Sequence, residues 1–274
     1  MNNNLFMDNR LIFLGTGNAL VTRCFNTCFI LESEGRRLMV DAGGGNGILR
    51  QMEDAGINFD TIHDLYLTHA HTDHVMGAVW VVRKVTSLMS QGKYDGELHI
   101  YGHEKVLRVL QTMCEMMLPG KFLKMIGKQV LMVEVTDGEH FEAAGMHLVA
   151  FDIHSTKEKQ YGFTATLRDG TRVACLGDEP FNAHCRCHVA DADWLLSEAF
   201  CLYDAREVFK PYEKHHSTAL DTGRLAKELN VRHLVMYHTE DKTLATRKKA
   251  YSEEAAKEFD GEVFVPDDLE VIFF

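Results

Sequence analysis

Short apolar runs separated by glycine turns dominate the start of the chain. Arg10 to Gly17 (RLIFLGTG), Phe25 to Glu32 and Arg36 to Asp41 read as strands, and the glycine turns between them predict an antiparallel start. Gly15-Thr16-Gly17 is read as a tight turn, because a dinucleotide loop needs a third glycine and a following helix, and a strand follows instead. A helix is expected from about Gly47 to Ala55, ended by Gly56, and then a strand over Ile62 to Leu67. From Asp73 to Met89 the period changes: Val75, Val79, Val82 and Val85 form the apolar stripe of a helix. Glu97 to Tyr101 is a strand, His103 to Leu118 a helix, and Val130 to Val135 and Met146 to Ile153 are strands. Gln160 to Leu167 and Thr171 to Leu176 form a hairpin around Asp169-Gly170, a strong turn pair. Trp194 to Ser197, His233 to Met236, Glu262 to Val265 and Leu269 to Phe273 complete the strands, and Ala219 to Leu229 and Ala245 to Phe259 the helices. No repeat or linker interrupts this order, so one α/β domain over 1–274 is expected, with two sheets and helices packed outside them.

Composition narrows the partners. Lys and Arg number 29 against 40 Asp and Glu, a formal charge of −11, which argues against a general nucleic-acid binder. The bases at Lys121, Lys124 and Lys242 to Lys249 read as solvated faces. Met1-Asn2-Asn3-Asn4 opens no secretion signal, and no apolar run reaches membrane-spanning length. With seven cysteines in no regular framework, a reduced cytoplasmic protein is expected. The close pairs Cys24/Cys28 and Cys185/Cys187 leave a small metal site or a disulfide open, and plain thiols are the simpler reading.

The densest chemistry is Thr68-His69-Ala70-His71-Thr72-Asp73-His74, directly after the apolar run Leu65-Tyr66-Leu67. Imidazole and carboxylate suit zinc, and manganese or iron would accept the same set. No single strand or helix face presents all four side chains to one point, but a strand end turning into a helix does. His154, Asp178 and His238 each follow a short apolar run and so sit at expected strand ends, where loops at one sheet edge converge.

These landmarks, in order, resemble the metallo-β-lactamase superfamily and within it the ribonuclease Z-like branch. The resemblance rests on the G-T-G turn, Asp41-Ala-Gly, T-H-x-H-x-D-H-x-x-G ending at Gly77, His154 before Tyr161-Gly162-Phe163, Asp178 in Leu176-Gly177-Asp178, and His238 after Tyr237. It implies an αββα sandwich of two mixed sheets and two divalent metal ions. His69, His71 and His154 would hold one ion and Asp73, His74 and His238 the other, with Asp178 shared. A hydroxide between the ions would be the nucleophile and Asp73 would orient it. His216, in His216-Ser217-Thr218, matches the branch's proton donor, and Glu198, in Ser197-Glu198-Ala199-Phe200, the carboxylate that holds it; Ser197 and Phe200 replace that motif's histidine and threonine. The adjacent His215 is set aside on the family register. A carboxylate partner is expected to raise the pKa of His216 and make it a general acid.

Only 23 residues separate His154 from Asp178, so the long tRNA-gripping arm that the branch carries there is expected to be missing. The implied activity is hydrolysis of a phosphodiester, a small or cyclic one ahead of an RNA 3′ end; tRNA 3′ processing is the alternative, and a homodimer is a family expectation. A lactam, thioester or sulfate ester is a further alternative, which the His216/Glu198 pair disfavours. A diiron oxygen- or nitric-oxide-reducing centre typically has glutamate where His71 stands, and a non-enzymatic binding protein would have lost ligands.

Overall fold

The computed structural model describes residues 9–274, so the opening asparagines lie outside it. One seven-stranded sheet has the order β14-β1-β2-β3-β4-β5-β6. Its strands are β1 (Arg10–Gly15), β2 (Cys28–Ser33), β3 (Arg36–Val40), β4 (Asp64–Tyr66), β5 (Leu98–Gly102), β6 (Val130–Glu134) and, from the C-terminal end, β14 (Val271–Phe273). The other has the order β13-β12-β11-β10-β9-β8-β7, built from β7 (His140–Ala143), β8 (Met146–Asp152), β9 (Tyr161–Thr166), β10 (Arg172–Cys175), β11 (Trp194–Glu198), β12 (His233–Tyr237) and β13 (Glu262–Phe264). Each sheet is half antiparallel and half parallel. β1, β2 and β3 pair antiparallel as expected, and β3 to β6 run parallel; β7 to β10 are antiparallel and β10 to β13 parallel.

The sheets face each other through Phe13, Phe29, Leu31, Tyr66, Phe163 and Tyr237, all buried. Helices α1 (Gly47–Asp54), α2 (Thr72–Ser90) and α3 (Glu104–Met117) cover the outside of the first sheet, where Val75, Val79, Val82 and Val85 of α2 are buried. The short α4 (Gly120–Leu123) follows α3; α5 (Arg186–Val189) and α6 (Arg206–Phe209) precede α7 (Ala219–Glu228) and α8 (Leu244–Ala255), which cover the second sheet. This is the αββα sandwich. The strand not anticipated is β7, a short edge strand whose residues alternate with no clear apolar face. All seven cysteines are free thiols, so neither close pair is a disulfide.

The parallel halves position the site. β3, β4, β11 and β12 deliver Asp41, Thr68-His69, Glu198 and His238 at or just beyond their carboxyl ends, where open α/β sheets bind ligands. Gly77 closes the corner from the helix side. Its amide donates to Gly43 O at 2.8 Å, and a Cβ there would lie 1.8 Å from Ala42 O, so only glycine lets the first turn of α2 rest on the loop after β3.

Candidate metal centre

β4 ends at Tyr66 and α2 begins at Thr72, so the histidine-rich stretch forms the strand-to-helix turn that the motif required. Among the described residues, three sets of donor atoms lie close enough to share an ion; one of them, Glu198, His216 and His238, overlaps the second set below through His238, and the other two make up the histidine-rich cluster. Of these two, His69, His71 and Asp178 form the first, and Asp73, His74 and His238 the second, with the donor atoms of each set within 4.8 Å of one another. Asp178 reaches both. Its Oδ1 lies 3.6 Å from His69 Nε2, and its Oδ2 lies 3.4 Å from His238 Nε2 and 3.7 Å from His74 Nε2. Asp73 Oδ2 is 3.4 Å from both His74 Nε2 and His238 Nε2.

Asp41, a landmark in the sequence without an expected role, orients this cluster. Its carboxylate accepts from Thr68 N at 2.9 Å, Thr68 Oγ1 at 2.7 Å and His74 Nδ1 at 2.7 Å. A proton held on Nδ1 leaves His74 Nε2 free, and that buried atom has no hydrogen-bond partner. A ligating histidine needs such a partner on its far nitrogen.

The electrostatics suit bound cations. Burial alone would raise the carboxyls of Asp73 and Asp178. The imidazoles of His74 and His238 around Asp73, and of His69, His238 and His74 around Asp178, overcome it and hold both well below the usual carboxylate range. Burial likewise opposes charge on His74, but Asp73 and Asp41 outweigh it and raise its pKa, whereas burial prevails at His69 and lowers it. Buried anionic oxygens beside correctly oriented imidazoles suit a divalent ion, which would supply the positive charge that the carboxylates around His74 favour on its ring. The donor set therefore fits a divalent metal ion.

His154 departs from expectation and does not join the first set. It is exposed, it has a left-handed backbone (φ 56°), its amide donates to Asp152 Oδ1, and its ring packs edge-on against His184. The cause is local. Ile153 N donates to Gln160 O at 3.1 Å, which closes residues 154–159 into a turn that carries His154 away from the cluster. The residue beside the first set is Gln160. Its amide nitrogen donates to Asp178 Oδ1 at 2.6 Å and lies 3.0 Å from His69 Nδ1. An ordinary glutamine before a strand carries no signal in the sequence.

His216 and Glu198, expected to act as a pair, lie side by side. His216 is buried, with Nδ1 3.6 Å from Glu198 Oε2, and neither atom has another partner. Glu198 also accepts from Ser217 N. Thr218 caps α7 through a capping box with Asp221, which fixes the turn that carries His216. His215 is exposed and left-handed, its Nδ1 3.2 Å from Thr156 Oγ1. The raised pKa expected for His216 is not found. Burial and the neighbouring His238 push it down to about 3, while burial pushes Glu198 up. The pair thus favours holding one proton in common and no net charge. Phe200 stacks flat on His216, with centroids 4.8 Å apart and planes 9° apart.

His71, Asp73, Asp178, Phe200, His216 and His238 face one cavity of about 440 Å³, with Lys157 and Lys214 at its mouth. Lys157 is tethered by Glu179 at 3.1 Å and by the Lys214 carbonyl at 3.0 Å.

Comparison with known proteins agrees with this architecture. The ribonuclease Z of Haloferax volcanii is 25% identical, the match covering 96% of this chain and 94% of that protein. Among solved structures, the metallo-β-lactamase fold protein YhfI from Bacillus subtilis superposes with a TM-score of 0.78 at 17% identity, over 97% of this chain and 100% of that one. The short form of human tRNase Z does so with a TM-score of 0.73 at 20% identity, over 96% and 98%. The family model described as Anti-Pycsar protein Apyc1 matches residues 9–258, and the chain therefore belongs to that family, as a ribonuclease Z-like member of the metallo-β-lactamase superfamily.

Proposed function

We propose that this protein is a metal-dependent hydrolase that cleaves small phosphodiesters, cyclic ones included. The observation that carries the reading is the His216–Glu198 pair, which stands beside His238 at the edge of the donor cluster. Cleaving a phosphodiester expels an alkoxide, which needs a proton; opening a lactam or thioester does not call for a donor in that position.

His69, His71 and Asp178 would hold one divalent ion and Asp73, His74 and His238 a second, shared through Asp178; zinc suits these donors, and manganese or iron would also. Ions so held supply Lewis acidity and lower the pKa of a water nucleophile. The remaining work falls to this chain. Asp73 faces the cavity and orients the attacking water. His216 gives its Nε2 proton to the leaving oxygen while its Nδ1 takes up the proton held by Glu198, so that neither an imidazolate nor an alkoxide is left. Phe200 keeps the ring in plane and one face of it dry.

A cavity of about 440 Å³ suits a small molecule. The span from His154 to Asp178 holds only a turn and the β9–β10 hairpin, with no arm to grip a tRNA. The name of the Haloferax relative keeps tRNA 3′ processing as the second reading.

The deciding experiment uses metal-replete wild type and His216→Ala on three substrates: bis(p-nitrophenyl) phosphate, a cyclic mononucleotide and a tRNA precursor with a 3′ trailer. The nitrophenolate leaves without help, whereas an alkoxide does not. His216→Ala should therefore lose about 10²–10⁴ in kcat on the cyclic diester, much less on the aryl diester, and no metal. Clean trailer removal would favour the second reading. Lactam turnover without any diester turnover would sink both.

A further inference from the structure

We propose that Gln160 is a positioning residue of the metal centre, its side-chain amide fixing which oxygen of Asp178 faces which set of ligands. The inference rests on the metal-centre reading above.

A carboxylate that serves two ions has to present its oxygens in a fixed order. Rotation about its Cβ–Cγ bond exchanges them, and the imidazoles around Asp178 do not forbid the exchange, since they lie on both sides of it. Among the described residues, the Gln160 amide is the one uncharged group that hydrogen-bonds this carboxylate, and it does so at Oδ1 alone, at 2.6 Å. Oδ1 is thereby held toward His69 and His71, and Oδ2 toward His74 and His238. The same nitrogen sits 3.0 Å from His69 Nδ1, on the far side of that ring from its Nε2 contact with His71. Gln160 therefore touches His69, which belongs to the first set alone, and the shared Asp178 only on the oxygen that faces that set.

The surroundings are built for this amide. The Gln160 side chain is buried, and its backbone is fixed on both sides: its carbonyl accepts from Ile153, and the next amide, Tyr161 N, donates to Thr68 O at 3.0 Å. Position 177, next to Asp178, is a left-handed glycine (φ 71°), and a Cβ there would come within 2.6 Å of the Gln160 nitrogen. The amide oxygen Oε1 has no partner, so the side chain is held by its donor end. Being uncharged, the amide donates at every pH without competing with the ions as a cation would.

The test measures metal directly, on the full chain with zinc alone. Wild type, Gln160→Met and Gln160→Glu are stripped with a chelator, reloaded, and titrated against a competing zinc indicator, with thermal unfolding of the stripped proteins as the folding control. Methionine keeps the length without the donor; glutamate keeps the shape and replaces the donor with an acceptor. Both variants should bind one zinc equivalent about 10–100-fold more weakly than wild type and the other equivalent as wild type does. Unchanged affinities in Gln160→Met, or equal weakening of both equivalents in a variant that still folds, would overturn the inference. So would tighter binding by Gln160→Glu, which would make position 160 a ligand position. A wild-type chain that takes up no zinc would overturn the metal-centre reading itself, an outcome that the variants cannot mimic.

Discussion

Asp178 is buried with one oxygen toward each set of donors, so its removal should cost more than one bond. Asp178→Ala is expected to lose one or both metals by elemental analysis and at least about 10² in kcat. Phe200→Ala should act differently. It removes the flat stack on His216 and opens a cavity, at about 3–5 kcal/mol of stability by urea unfolding, while metal content stays unchanged. At this scale the sequence was legible wherever a residue type has little reason to be present except for its chemistry. The four donors between His69 and His74 fall in that class, and so do Asp178, His216 and His238. It was mute where the role depends on a neighbour that arrives by folding. Asp41 acts only because β3 lies beside β4, and Gln160 only because β9 begins beneath Thr68. His154 fails in the opposite way: its type and position suggested a ligand, but the turn closed between Ile153 and Gln160 carries it elsewhere.

Among the elements, α2 and its seat on the loop after β3 are the most exacting. Gly77→Ala places a methyl 1.8 Å from the Ala42 carbonyl oxygen, a contact that only backbone movement relieves. Chemical unfolding should register a loss of about 2–4 kcal/mol, and zinc affinity should fall with it, because Asp73 and His74 ride on the same turn. The pairs that pin the 154–159 turn to α3, Lys105–Glu158 and Lys159–Glu104, are both 2.7 Å long but partly exposed. Lys105→Ala and Lys159→Ala should each change stability by no more than about 1 kcal/mol. Most elements were readable because their periods are clean: the valine stripe of α2, and the Asp-Gly turn between β9 and β10. β7 was missed because a four-residue edge strand with one buried residue has no period to read. The order of strands across the sheets follows from long-range pairing, which local pattern does not encode.

At the scale of the molecule, each sheet brings part of the cluster: the turn after β4 and the first turn of α2 carry His69 to His74, while Asp178 and His238 follow β10 and β12. Metal binding should therefore stabilise the docking of one sheet on the other. With free zinc at about 100 times Kd, loading is worth about 2.7 kcal/mol, and chelation should lower Tm by about 5–10 °C. The charge of −11 works in the same direction for function, since it repels a polyanion at long range and leaves recognition of a small anion to groups inside the cavity.

The left-handed backbone at Asp41, His154 and His238 has a consequence for how such a chain evolves. At each of these positions glycine would relieve conformational strain of about 1 kcal/mol. His154, being exposed, has the least packing to lose. Selection for thermostability alone, with no demand for turnover, would be expected to recover glycine at 154 first. A library screened that way would mark, if it went on to discard Asp41 and His238, where this protein has traded durability for chemistry.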